Sequence, residues 1–247
     1  EIILSLNDYK VAVVTGASSG IGAAVARDLG QRGLKVHAIA RREERLANLE
    51  GCMTHVLDVR DTNALTGLLE SIKVDILVNN AGVGRGFSSI AGAKPADIDC
   101  TLDTNVRSVV HAVRSVLPGM IKNGAGHIVN IGSMAGIYPL SAALYGASKG
   151  ALHVLSMDLR LELQGTGIRV TEICPGRVQT EFYDRAFDSP AEIQRMKNSG
   201  INELTSQDVA ASVIHALDAP WHVNVNRIEI QPTEQIYGGS VFTPRKL

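Results

Sequence analysis

The chain has 247 residues, of which 24 are lysine or arginine and 25 aspartate or glutamate, with 45% hydrophobic content and a formal net charge of -1. That balance leaves no basic excess for a nucleic acid or an anionic membrane to recognise, and no apolar run reaches the roughly 18 residues a membrane span needs. The three cysteines, Cys52, Cys100 and Cys174, and the seven histidines lack metal-ligand spacing, so the expectation is reduced thiols, no metal site and a cytoplasmic location.

Residues Glu1 to Lys10 read as an edge of the fold or a trimmed terminus. Lys10 to Thr15 is a buried strand, followed by a helix from about Gly20 to Gly33. Lys35 to Ala40 is a second strand, with a short charged helix from Glu43 to Leu49. Strands at Met53–Leu57 and Asp75–Asn79 flank a helix near Asp61–Ser71. One long helix is expected over Pro95–Asn123, then a strand at His127–Ile131. A second long helix covers Ala142–Gln164 and leads to a strand at Arg169–Cys174. Beyond a poorly patterned stretch, Ser206–Ala219 is helical and Arg227–Ile230 is the last strand. Continuous apolar strands alternating with helices imply a parallel sheet covered on both faces. With right-handed crossovers the whole chain, 1–247, reads as a single-domain, Rossmann-like, doubly wound α/β fold of about seven strands. In such sheets ligands sit beyond the carboxyl ends of the strands.

The chemistry-bearing residues fall at those ends. After the first strand comes Thr15-Gly16-Ala17-Ser18-Ser19-Gly20-Ile21-Gly22. Glycines there allow tight turning and close backbone approach to a pyrophosphate, which a helix N-terminus attracts through its free N–H groups. The spacing is G-x-x-x-G-x-G and no G-K-[ST] follows, so a P-loop is excluded. After the fifth strand comes Gly132-Ser133, and twelve residues beyond Ser133 comes Tyr145, with Lys149 one helical turn further. Tyrosine and lysine at i and i+4 share a helix face and can meet at one ligand. A tyrosine of ordinary pKa near 10 is a poor base at neutral pH, and lowering it by roughly three units takes on the order of 4 kcal/mol. A lysine ammonium and a positively charged ring are expected to supply that preference for the phenolate. Ser133 can donate to the reacting oxygen.

In these motifs the sequence resembles the short-chain dehydrogenase/reductase family, and the resemblance runs along the whole chain. It implies an oxidoreductase that passes a hydride between nicotinamide C4 and a small alcohol or carbonyl substrate, with Tyr145 as general acid/base. It implies catalytic roles for Ser133, Tyr145 and Lys149 and adds Asn105, as the residue that holds a water linking the lysine to solvent. It places Asn80, Ala81 and Gly82, within Asn79-Asn80-Ala81-Gly82, on the adenosine side, and Asp58 with Val59 at the adenine. Pro175-Gly176-Arg177-Val178-Gln179-Thr180 resembles the element that holds the nicotinamide carboxamide, through Val178 and Thr180.

Charge argues for NADP(H) over NAD(H). The second strand ends Ala40-Arg41-Arg42 with no acid at the first positions, and a guanidinium binds a 2′-phosphate that a carboxylate would repel. Residues around 181–205 are expected to form a substrate lid. Arg177, Arg85, Met134, Tyr138, Phe182 and Tyr183 are candidates to line the pocket, and an inward Arg177 or Arg85 would favour a small acid. The stretch from Asn224 to Thr233 resembles family members that act on small hydroxy acids and 3-hydroxy amino acids. The family resemblance also implies a homotetramer, or a homodimer, packed through the long helices. The face Val109, Val110, Val113, Val116, Leu117 fits that role, and core burial explains it equally well. Two other readings share the cofactor logic. A non-catalytic NADP(H)-sensing regulator would have no need of Tyr145 and Lys149, and a nucleotide-sugar epimerase or dehydratase usually carries a longer C-terminal substrate domain.

Overall fold

The computed structural model describes residues 6–87 and 89–236. Its strands are β1 (Val11–Thr15), β2 (Lys35–Ala40), β3 (Cys52–Val56), β4 (Ile76–Asn79), β5 (Gly126–Ile131), β6 (Ile168–Pro175) and β7 (Arg227–Ile230). They form one sheet in the order β3-β2-β1-β4-β5-β6-β7, with every neighbouring pair parallel. The order reverses between β1 and β4, so a crevice opens there beyond the strand ends. The helices are α1 (Gly20–Gln31), α2 (Glu43–Leu46), α3 (Thr62–Glu70), α4 (Pro95–Leu102), α5 (Ser108–Asn123), α6 (Ala143–Glu162), α7 (Phe182–Ala186), α8 (Pro190–Lys197) and α9 (Ser206–Asp218).

Alternate strand residues face two separate cores. Ala12 and Val14 of β1 pack with α1 and α9, whereas Val13 packs with the layer of α3, α5 and α6. Both faces are covered, which is why β4 and β5 are buried at every position, polar residues included. The α9 start is fixed by a capping box between Thr205 and Asp208. Among the described residues no helix is long and apolar enough to cross a membrane.

One buried polar chain crosses the sheet. Asn79 Nδ2 of β4 donates to Asn130 Oδ1 of β5 at 2.9 Å, and Asn130 Nδ2 donates to Ser156 Oγ of α6 at 2.9 Å. It ties the helix that carries Tyr145 and Lys149 to the middle of the sheet.

Three expectations change and one left open is decided. The helix over Pro95–Asn123 is α4 and α5 joined by a π turn, Asp103–Arg107, with Asn105 in the turn. The start of the chain is no mere edge: Leu6 and Tyr9 are buried in the α1/α9 core, and the Tyr9 hydroxyl accepts from Arg169; residues 1–5 lie outside the described residues. In the proposed interface face, Val109, Val113 and Val116 are core residues, because the i, i+4, i+7 stripe of α5 points at the sheet; only Val110 is exposed. The poorly patterned stretch after β6 holds two short helices, α7 and α8, the second started by Ser189 capping Glu192 N and by Pro190.

Candidate active site

The glycine turn and the end of β4 are stitched together. Thr15 Oγ1 accepts from the backbone N–H groups of Asn80 and Ala81, both at 3.1 Å. Asn80 Nδ2 donates to the carbonyls of Thr15 at 2.9 Å and Gly16 at 3.2 Å. Gly16 has φ +68°, and a Cβ there would stand 2.8 Å from Ala81 Cα. A Cβ on Gly22 would stand 2.3 Å from Asn80 Nδ2. Gly22 is thus the floor on which Asn80 rests and does not line the cleft, whereas Gly16, Ser18, Ser19, Gly20 and Ile21 do. Ser19 caps α1 without its hydroxyl accepting from the first-turn N–H groups of the helix, which are left available.

Around this turn the cleft is lined by Arg41, Arg42, Asp58, Val59, Asn80, Ala81 and Gly82, and on the β6 side by Pro175, Gly176, Val178 and Thr180. Arg42 donates through Nε and Nη2 to Ser18 Oγ, at 3.2 and 3.0 Å, and through Nη2 to Ser19 Oγ at 2.7 Å. Arg41 is looser, half-exposed and 3.6 Å from Asp58. Burial pushes the Asp58 carboxyl up, but the bonds from Arg60 and the charge of Arg41 bring it below the usual range.

Ser133, Tyr145 and Lys149 meet at the other end of the same cleft. Ser133 caps the short turn Met134–Gly136, its Oγ accepting from Ala135 N at 3.1 Å. A Cβ on Gly136 would lie 2.6 Å from the Lys149 carbonyl oxygen, so this glycine lets the turn rest directly on α6. Lys149 Nζ donates to the Ile131 carbonyl at 2.7 Å. Burial lowers the Lys149 pKa to about 8, partly offset by the nearby Cys174 and Glu172. Burial pushes the Tyr145 phenol up to about 12, against a hydrogen bond with Ser133 that pulls it down. The expected downward shift is therefore not a property of the chain's own groups, because the lysine ammonium is drawn onto a backbone carbonyl and the phenol stands among rings. Tyr145 has Phe182 at 5.2 Å and Phe87 at 5.6 Å between ring centroids.

Asn105 stands behind this group, buried and not lining the cleft. Its Oδ1 accepts from Val83 N at 2.8 Å, and its Nδ2 donates to Val83 O at 2.8 Å and Ser148 Oγ at 2.9 Å. The side chain clamps the segment after β4 to α6, which leaves its amide little capacity for a water.

Of the pocket candidates, Met134, Arg177, Phe182 and Tyr183 line the cleft, and Arg85 and Tyr138 do not. Tyr138 donates to Glu229. Arg85 pairs with Asp97 and Asp188, and Arg177 with Glu203, so both cations hold acids of the chain itself. The sequence reading missed Glu181, Arg185 and Phe87, which also line the cleft. Only the position of Glu181, directly after Thr180, hinted at a role.

A family model of the short chain dehydrogenases matches residues 10–190. The chain belongs to that family. As such it is an oxidoreductase. It is 39% identical over 241 residues to the NADP-dependent 3-hydroxy acid dehydrogenase YdfG of Escherichia coli, covering 93% of this chain and 97% of that protein. Sulfoacetaldehyde reductase 2 of Chromohalobacter salexigens is 37% identical over 243 residues, 92% of this chain and 96% of its own. Among solved structures, the closed form of a serine dehydrogenase complexed with NADP+ superposes with a TM-score of 0.87 at 38% identity, covering 96% of this chain and 100% of that one.

Proposed function

We propose that this short-chain dehydrogenase interconverts a small hydroxy acid and its carbonyl partner, with Tyr145 as general acid/base. The observation that carries the reading is the meeting of Ser133, Tyr145 and Lys149 in one cleft with the glycine turn. The enzyme is NADP(H)-dependent. Its residues fit that cofactor on two counts: the cradle at Gly16 and Gly20 keeps Cβ atoms out of the turn, and Arg41 and Arg42 stand at the end of β2 where an NAD site commonly places an acid. Ser18, Ser19, Gly20 and Ile21 would hold the pyrophosphate, Asp58 and Val59 the adenine, and Pro175, Gly176, Val178 and Thr180 the nicotinamide carboxamide.

When bound, NADP(H) supplies or accepts the hydride at its nicotinamide ring. In reduction Tyr145 gives its phenolic proton to the substrate oxygen, and in oxidation it removes that proton. Ser133 donates a hydrogen bond to the same oxygen and keeps it beside the phenol. The Lys149 ammonium, one turn along the same helix, would favour the phenolate over the phenol only together with the positive ring of the bound, oxidised cofactor. Asn105 positions both by holding α6 to the segment after β4. Residues 181–205 form a lid, with Phe182 and Tyr183 closing the aromatic wall around the phenol. A small anionic substrate accords with the hydroxy acid and sulfoacetaldehyde named for relatives of 37% to 39% identity. A non-catalytic sensor would have no use for the Ser133, Tyr145 and Lys149 cluster.

The enzyme works as a cytoplasmic homotetramer in this reading. Support comes from free cysteines and from exposed apolar residues, Val154, Met157 and Leu161 on α6 and Val110 on α5. The test of function is NADPH consumption, followed by the absorbance of reduced nicotinamide, on aldehyde acids, keto acids, neutral ketones and sugars, with NADH in parallel. Turnover confined to small anionic carbonyls supports the proposal; turnover confined to neutral ketones or sugars overturns the substrate class.

A further inference from the structure

Glu181 is the acidic residue of the cleft to which the cofactor chemistry assigns nothing. It follows Thr180 and opens the lid, yet its side chain reaches back across the cleft to the other half of the molecule. Its Oε2 accepts from Arg42 Nη1 at 2.9 Å, and its Oε1 pairs with Arg45 Nη1. The two bonds hold its carboxyl down at about 2, so it is an anion at every working pH.

Arg42 has little left to offer. Its Nε and Nη2 are bonded to Ser18 and Ser19, and its Nη1 to Glu181. A guanidinium has five N–H donors, and a phosphate is best held by two parallel ones. While Glu181 stays, Arg42 presents no such edge. Arg185 shows the opposite state. It lies four residues beyond Glu181 in α7 and lines the same cleft, and among the described residues its guanidinium has no hydrogen-bond or ion-pair partner. Its surroundings are crowded with like charge from Arg42, Arg41 and Arg45.

We propose that Glu181 is an internal occupant of the 2′-phosphate site, displaced from Arg42 and Arg45 by the phosphate of NADP(H) and passed to Arg185. This rests on the NADP(H) reading above. The exchange matches charge at both ends: the incoming dianion takes the guanidinium donors that the carboxylate releases. The released carboxylate, at the N-cap of α7, gains a cation four residues on in that same short helix. NAD(H) has no phosphate at that position and leaves Glu181 latched to Arg42 and Arg45. Discrimination between the cofactors and release of the first residue of the lid are then one event.

The experiment is calorimetric titration of NADPH and of NADH into the wild-type protein and Glu181→Gln, at one fixed ionic strength. The variant keeps the shape of the side chain and removes the competing charge. Partly exposed ion pairs are individually weak, so the expected gain is about threefold to tenfold tighter NADPH binding, with NADH changed less than about twofold. Weaker or unchanged NADPH binding in the variant, beside a wild type that prefers NADPH, overturns the exchange alone, since Glu181 would then merely orient Arg42. A wild type that binds NADPH and NADH equally removes the cofactor reading as well. The lid gives a second readout. Adenosine 2′,5′-bisphosphate, which has no nicotinamide, should speed tryptic cleavage within 181–205 of the wild-type protein, and ADP should not. Equal cleavage with both probes overturns the link to the lid.

Discussion

Replacing Tyr145 by phenylalanine removes one oxygen from the cleft and little else. The ring keeps its places beside Phe87 and Phe182, and Ser133 keeps the bond it accepts from Ala135 N. The fold loses one hydrogen bond, worth about 0.5–1.5 kcal/mol. For a chain of this size that is a fall in Tm of a few degrees, about 2–4 °C per kcal/mol. The proposed chemistry would lose its proton donor, and general acid–base catalysis is worth about 100-fold to 10,000-fold. Expected, then, is a kcat lower by that factor, with the NADPH dissociation constant within about twofold of wild type. The pKa adds a direction. A phenol at about 12 is fully protonated at neutral pH, so it is ready to act as an acid. Removing its proton at pH 7 costs about 7 kcal/mol from the protein alone, at 1.36 kcal/mol per unit over about five units. Oxidation by the wild-type enzyme should accelerate as pH rises above neutrality, while reduction stays level until Lys149 loses its proton near pH 8. The assay is steady-state kinetics in both directions across that range, with binding measured separately. A phenylalanine variant that retains wild-type turnover would refute the proton-transfer role, and an oxidation rate flat with pH would refute the electrostatic argument.

Three further outcomes follow from particular contacts. Arg42→Ala should weaken NADPH binding about tenfold or more and leave NADH nearly untouched, because charge-assisted bonds to a phosphate are the strong ones; equal losses in titrations of the two cofactors would count against it. Gly22→Ala drives a methyl group to 2.3 Å from Asn80 Nδ2, so it should cost about 1–3 kcal/mol in a thermal melt and loosen cofactor binding with it; an unchanged Tm would show that Asn80 can give way. His127 is buried, bonded to Thr171, and held neutral by burial well below its usual pKa. The unfolded chain takes up a proton that the folded one refuses, so its contribution is complete above about pH 6.5 and is lost as pH falls, by up to about 1.4 kcal/mol per unit. Melting from pH 8 down to 5 should show the decline, and His127→Val should flatten it; an equal slope in the variant would assign the decline to other groups, such as His37 and His55.

Much of the candidate cleft was legible because it sits where strands end, and strand ends are marked by composition. Val11 to Thr15 could be read as a buried strand from its β-branched residues, and the glycines after it have no place inside a regular element. Tyr145 and Lys149 were legible through helical spacing. What could not be read is what lies across the cleft. Nothing local marks Glu181 as the partner of Arg42, since the two are far apart in sequence and meet only in the folded chain. Arg85 and Arg177 invited the opposite error: a cation near a pocket suggests an acidic ligand, but Asp97, Asp188 and Glu203 meet them first. The short helices of 181–205 escaped because α8 has no buried residue to impose an apolar period, and α7 has only Ala186. The upward push of burial on the Tyr145 phenol was not legible for a related reason, since Phe87 and Phe182, which surround it, lie on separate segments.

The amide chain from Asn79 through Asn130 to Ser156 has an evolutionary consequence. Each member satisfies the next, so losing one leaves a neighbour's donor or acceptor buried and unpaired, at about 1–3 kcal/mol. Replacing all of them with well-shaped apolar groups need not carry that penalty. The three positions are therefore bound to change together or not at all, and a lineage that drifts at one must soon repair the other two.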